Sequence, residues 1–286
     1  MAGTSMKDIR LRIRSVQSTM QITKAMQLVA SSKLRRARER MEASRPYLEI
    51  AQDTIADIAA HNTGCRSDYL GGRAVKKRCA IVVAGDRGLA GSYNANIFKR
   101  IREEVGEDAC VLPIGRKAME HFAYLNGMEV LPLGVAKAES VTMEDCRGMA
   151  AELVVRFDAG EIDRIDLAYT HFASVLTQQA CVIRLLPVRE THEENRAARQ
   201  MLFEPAPEEL LRRAIPDYLA GMIYAAVCDS VASEQAARRV AMDAATKNAG
   251  EMIEQLNLRY NRARQASITQ ELTEIIAGSE GENEEN

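Results

Sequence analysis

Residues 9–58 read IRLRIRSVQSTMQITKAMQLVASSKLRRARERMEASRPYLEIAQDTIADI. Alternating steps of three and four connect Ile9, Ile13, Val16, Met20, Ala30, Leu34, Ala37, Met41, Leu48, Ala51, Ile55 and Ile58, with polar Thr23, Gln27 and Ser44 filling the remaining steps. A repeat of that length puts one apolar seam along a single long helix, and the seam needs another helix against it. At ~1.5 Å per residue the helix is about 75 Å long, more than a compact domain of this size encloses. Pro46 falls inside the repeat and is expected to bend or locally interrupt the helix, since it lacks a backbone donor and crowds the preceding turn.

A second long helix is predicted over residues 208–277. From Pro207 onward the residues are good helix formers, no proline follows Pro216, and Gly278 supplies a stop. Met242, Ala245, Ala249, Met252 and Leu256 keep three-four spacing, as do Ile268, Leu272 and Ile275. Much of that face is alanine, which lets two backbones approach closely, so its natural partner is the first helix in an antiparallel coiled coil.

Between the helices the pattern changes. Cys79–Ala84, Cys110–Ile114, Glu129–Leu133 and Ile165–Tyr169 are short β-rich runs. Helical stretches around Asn94–Val105, Lys117–Leu125 and Thr142–Ala159 separate them. That alternation indicates a parallel sheet of βαβ units, and Gln179–Leu186 adds an antiparallel edge strand. The expected fold is therefore a Rossmann-like three-layer α/β domain inserted between two helices that form a coiled coil. The boundaries are 1–60 for the N-terminal helix, 76–190 for the α/β domain, 208–277 for the C-terminal helix and 278–286 for a disordered acidic tail.

Composition narrows the class. The 286 residues are 47% hydrophobic and 27% charged, with 5% aromatics and no Trp. There is no apolar stretch long enough to span a bilayer and no signal-type start. Six scattered cysteines without a CxxC argue for reduced thiols rather than a disulfide frame or zinc site, and no two are close enough in sequence to suggest a thiol switch. Residues 1–40 hold ten Lys or Arg against Asp8 and Glu39, a balance of +8, whereas 271–286 holds six Glu and no base, a balance of −6. Such asymmetry fits solvated faces, an acidic sleeve around the first helix, or nucleic acid.

Gly85-Asp-Arg-Gly88-Leu-Ala-Gly91 follows the first strand and leads into a helix, as a phosphate-cradling turn would. The spacing is GxxGxxG rather than GxGxxG, and no Gly-Lys-Ser/Thr follows, so a tight structural turn held by Asp86 and Arg87 is favoured over a nucleotide site. His61, His121, His171 and His192 are isolated from other metal-ligand types. No nucleophile with an obvious base is apparent. The expectation is a non-enzyme with no catalytic residue, no metal, no cofactor and no small-molecule substrate of its own.

Gln21-Ile-Thr-Lys-Ala-Met26, Asp86-Arg-Gly-Leu-Ala-Gly91, Ser233-Glu-Gln-Ala-Ala-Arg238 and Tyr260-Asn-Arg-Ala-Arg-Gln-Ala-Ser-Ile-Thr-Gln-Glu-Leu-Thr-Glu-Ile275 occur in this order. Together they resemble the gamma subunit of bacterial F-type ATP synthases. The resemblance implies a central-stalk rotor that couples proton flow through the membrane ring to ATP synthesis in the beta subunits. It implies alpha, beta and epsilon subunits and the c-subunit ring as partners, and a peripheral place on the cytoplasmic face of the bacterial inner membrane. By the same resemblance Lys24, Met26, Arg238, Gln265, Thr269 and Glu271 are the rotor–stator contacts, and Ile268, Leu272 and Ile275 form a shaft bearing. Met26 reads equally well as a seam residue. Two alternatives are a basic coiled-coil nucleic-acid adaptor and a Rossmann-type nucleotide-binding enzyme.

Overall fold

The computed structural model describes residues 6–61, 67–71, 73–106, 109–123, 128–135, 137–188, 204 and 206–284. The first helix, α1, spans Met6–His61 and passes Pro46 without interruption. Pro46 and Glu42, whose carbonyl loses its helical donor, are both exposed, so water replaces the missing bond. Three short helices follow: α2 (Tyr93–Glu104), α3 (Arg116–Ala123) and α4 (Met143–Asp158). Thr142 caps α4 by accepting from the Asp145 N–H, while Asp145 accepts in return from the Thr142 N–H, a reciprocal capping box.

The last helix, α5, spans Pro207–Glu284, with proline in the first turn, where its missing donor costs nothing. It continues past Gly278, where the sequence reading placed a stop and a disordered tail. Two glycines in a segment otherwise able to be helical cost only about 1 kcal/mol each, too little to guarantee a break.

Four strands form one sheet in the order β2-β1-β3-β4: β1 (Arg78–Val83), β2 (Cys110–Ile114), β3 (Arg164–Phe172) and β4 (Gln178–Leu186). β1 pairs in parallel with β2 and β3, and β4 is the antiparallel edge. The run Glu129–Leu133 does not become a strand. It makes an isolated parallel bridge, Val111 with Val130: Val111 N–H donates to Glu129 O and Leu131 N–H to Val111 O, but the next rung needs a donor from Pro113 of β2, which has no N–H.

Alternation along the strands divides the apolar side chains between two layers. Ile81, Val83, Leu112, Ile114, Ile165 and Leu167 face Leu153 and Phe157 of α4, Leu34 and Ile55 of α1, and Leu219 and Ile223 of α5. Ala80, Val82, Val111 and Ala168 face Ile97 and Ile101 of α2 and Phe122 of α3. The three-layer reading holds, but the chain divides elsewhere than expected. One compact unit is Ala30–Val240 and the other is Met1–Val29 with Ala241–Asn286. One face of the sheet shares its apolar cluster with the inner parts of both long helices, whereas the other face packs only against α2 and α3.

Ahead of β3, Asp163 accepts from the N–H groups of Lys76 and Lys77, both at 2.9 Å, and pairs with Arg73 at 2.7 Å. The Lys77 N–H, more than the guanidinium, holds its carboxyl below the usual Asp range. A depressed folded value means stability that is present above the unfolded pKa of about 3.9 and lost as pH falls through the folded one. Asp163→Asn should therefore cost about 2 kcal/mol at neutral pH. The deficit should shrink in acid, below about pH 4, and urea midpoints across pH check this.

Candidate functional site

The glycine-rich turn connects β1 to α2 inside the larger unit. The Asp86 carboxylate accepts from the backbone N–H groups of Ala138 (2.8 Å) and Glu139 (3.1 Å), with Arg116 N–H more distant at 3.4 Å. Asp86 thus ties the turn to the loop ahead of α4, as the sequence suggested. From the other side, Arg238 of α5 reaches the carbonyls of Arg87 and Gly88 at 3.4 and 3.3 Å and pairs with Glu234 one helical turn earlier. Arg87 contributes its carbonyl.

Glu234 decides whether this turn is a phosphate cradle. It is 3% exposed, and its carboxylate accepts from the Asp86 N–H, while Gly85 N–H donates to Asn94 Oδ1 at 2.9 Å. A Cβ built on Gly85 would lie 2.9 Å from the Glu234 carboxyl carbon and 3.1 Å from Asn94 Oδ1. An internal carboxylate and an internal amide therefore stand where a phosphate would take its donors. Burial pushes the Glu234 carboxyl above the usual Glu range, opposed by Arg238 and the Asp86 N–H. The turn is a structural latch. Its partner was legible in outline, since Glu234 and Arg238 stand at i and i+4 in one of the quoted motifs.

Arg238 is held from within the chain. At 7% exposed, with Glu234 and the turn as partners, its guanidinium is directed into the chain rather than outward. A buried cation is stable only beside such partners, which helix periodicity alone could not locate.

In the smaller unit, α1 and α5 lie antiparallel. Arg10 hydrogen-bonds Tyr260, the Thr23 and Thr246 hydroxyls are 2.8 Å apart, and Gln27 Nε2 donates to Asp243 Oδ1 at 3.0 Å. Polar groups that seemed to break the repeat thus bond across the helix pair and fix its register. On α5 the buried face runs through Met242, Ala249, Ile253 and Leu256, and Met252 points outward instead of joining it. Lys24, Gln265, Thr269 and Glu271 are exposed, and Met26 is half-buried beside the seam. Ile268, Leu272 and Ile275 are 49%, 55% and 67% exposed; in the register set by Arg10 with Tyr260 and Thr23 with Thr246 they lie past the start of α1, which does not cover them.

The remaining candidates have local explanations. His121 stacks on Phe98 with ring centres 3.9 Å apart, and His171 Nδ1 lies 2.8 Å from Asp229. His61 closes α1, and His192 lies outside the described residues. Among the described residues no group of three metal-ligand types converges, and no helix is long and apolar enough to cross a membrane.

The ATP synthase family model matches residues 5–281. The ATP synthase gamma chain of Ruminococcus albus is 43% identical over 98% of this chain and 99% of its own length. The chain belongs to the ATP synthase gamma-chain family. The gamma chain of Acetobacterium woodii, described as sodium ion specific, is 40% identical over 98% of this chain and 99% of its own. A chain of the Euglena gracilis mitochondrial ATP synthase has a TM-score of 0.72 at 18% identity, covering 96% of this chain and 94% of that one; at that identity the likeness concerns the fold. As a gamma chain the protein is the non-catalytic central-stalk subunit of an F-type ATP synthase, peripheral to the membrane.

Proposed function

We propose that this gamma chain turns within a hexamer of alpha and beta subunits and is driven from below by the membrane c-subunit ring, with the epsilon subunit bound beside it. In this reading proton flow turns the ring and the chain together, on the cytoplasmic face of the bacterial inner membrane. The rotating surface then favours different conformations in three chemically identical catalytic sites. A rotor can do this only through contacts that differ in free energy between those conformations.

The observation that carries the reading is the exposed apolar face of α5 at Ile268, Leu272 and Ile275. A helix pair that had only to be stable in water would not leave three large aliphatic side chains in one stripe uncovered. They suit an apolar bearing. Lys24, Gln265, Thr269 and Glu271, exposed on the same helix pair, offer directional bonds that can form and break as the surface passes, and Met26 offers a deformable contact. Arg238 acts at one remove, through the latch it holds.

Co-expression with the same organism's alpha and beta subunits tests the reading. We expect a complex of three alpha, three beta and one gamma chain whose ATP hydrolysis depends on the gamma chain. In the whole membrane-bound enzyme, changing Gln265, Thr269 and Glu271 together to Ala should leave folding intact and lower proton-driven ATP synthesis by roughly fivefold. A chain that stays out of the complex, or a triple variant with unaltered synthesis, would sink the assigned contacts.

A further inference from the structure

Cys79 and Cys110 are far apart in the chain but are direct partners in the parallel pairing of β1 and β2. Directly paired residues on neighbouring strands point to the same face, and their Cα atoms lie ~4.8 Å apart. That separation falls inside the ~4.4–6.8 Å a disulfide requires. The shared face is the one that carries α4: Cys79 is fully buried in its apolar cluster and Cys110 packs half-buried against it. The two thiols are free and lie side by side on that face.

The pair differs in access as well as burial. Cys110 lines a 420 Å³ cavity together with Lys77, Arg78, Glu129, Arg156 and Glu161, whereas Cys79 does not reach it. Nothing in the rotor reading uses this cavity, which opens beside the first residues of β1 and β2 rather than at the latch.

We propose that Cys110 and Cys79 form a hydroperoxide-reactive dithiol, with Cys110 as the attacking sulfur reached through this cavity and Cys79 as the resolving one. In the first step the Cys110 thiolate attacks one peroxide oxygen. The O–O bond breaks, the sulfur becomes a sulfenic acid, and the other oxygen leaves as hydroxide or alkoxide and takes up a proton. In the second, Cys79 gives up its proton and its sulfur attacks the Cys110 sulfur. The S–O bond breaks and the S–S bond forms, with the oxygen departing as water. Overall, one hydroperoxide is reduced to water or alcohol plus water, and two thiols are oxidised to one disulfide.

The electrostatics agree with that division of labour. The Cys79 thiol beside it holds the Cys110 thiol below the usual cysteine range, with Arg156 assisting. The neighbouring Cys110 thiol and burial push Cys79 well above it, so Cys79 is inert until Cys110 is oxidised. Burial likewise pushes up Cys146, to about 12, and Cys228, which serve as internal references.

The test uses the full reduced chain, equimolar hydrogen peroxide and mass spectrometry of peptides. The expected product has lost two hydrogens and contains one cross-linked pair, Cys79 with Cys110, formed about tenfold or more faster than Cys146 or Cys228 is modified. Cys79→Ser should leave Cys110 as a sulfenic acid that dimedone traps, and Cys110→Ser should leave Cys79 unreactive. If either variant fails to fold, the rate of iodoacetamide alkylation of each cysteine in the unaltered protein gives the same comparison. Equal rates at Cys110 and Cys146, a disulfide from Cys110 to Cys65 or Cys181, or oxidation of Cys110 beyond sulfenic acid without cross-linking would overturn the proposal.

Discussion

Arg238→Ala is expected to destabilise the protein by about 3 kcal/mol near neutral pH. The substitution leaves Glu234, 3% exposed, with its carboxylate uncompensated, and removes the guanidinium from the Arg87 and Gly88 carbonyls. Burial already raises the Glu234 carboxyl, and losing the cation raises it further. A carboxyl whose folded pKa lies above its unfolded value of about 4.3 weakens the fold increasingly as pH rises from that value through the folded one. The loss should therefore be larger in mildly alkaline than in mildly acidic buffer. The double change Glu234→Leu with Arg238→Met removes both charges together and should recover most of it. Urea unfolding at two pH values decides the matter, and an Arg238→Ala chain within about 1 kcal/mol of the parent would mean the latch is solvated in solution.

Substituting Gly115 by Ala should cost about as much, roughly 3 kcal/mol, by a different route. Gly115 has φ +96°, and a Cβ there would lie 2.2 Å from the Ala84 carbonyl oxygen. Neither backbone can withdraw easily. Ala84 N–H donates to Ile114 O, Gly115 N–H to Val135 O and Lys117 N–H to Gly85 O, so the start of the latch and the end of β2 are interlocked. Gly148→Ala is the control. Gly148 lies within α4, and a Cβ there meets nothing within 4 Å, so helix propensity should make that change slightly stabilising. Thermal unfolding of the two variants should shift in opposite directions.

The legibility of the fold varied with how sharply each segment separates apolar from polar positions. All fifteen seam positions named for α1 are buried or half-buried, although Leu11, Ile22, Leu28, Val29 and Ile50 also place apolar side chains on its exposed faces. The α5 seam was less certain. Met252 and Ile253 are adjacent and both apolar, so either continues a three-four pattern, and only packing against α1 selected Ile253. The run Glu129–Leu133 has strand-like side chains, but the missing donor at Pro113 of β2 stops its ladder after one bridge. The exposed residues of the rotor surface were named through family motifs; periodicity does not distinguish a side chain left outward for a partner from one simply in water.

By itself the sequence determined two long helices, their antiparallel pairing and the α/β alternation between them. Those properties follow from local periodicity, backbone stereochemistry and residue spacing, which do not require the rest of the chain to be in place. Only the tertiary structure decided that one face of the sheet shares its core with the inner halves of both helices, that Glu234 and Arg238 close the glycine-rich turn, and that Cys79 meets Cys110. Each depends on which distant segments come together and exclude water, and burial is what makes a charge require a partner or a thiol differ from its neighbours.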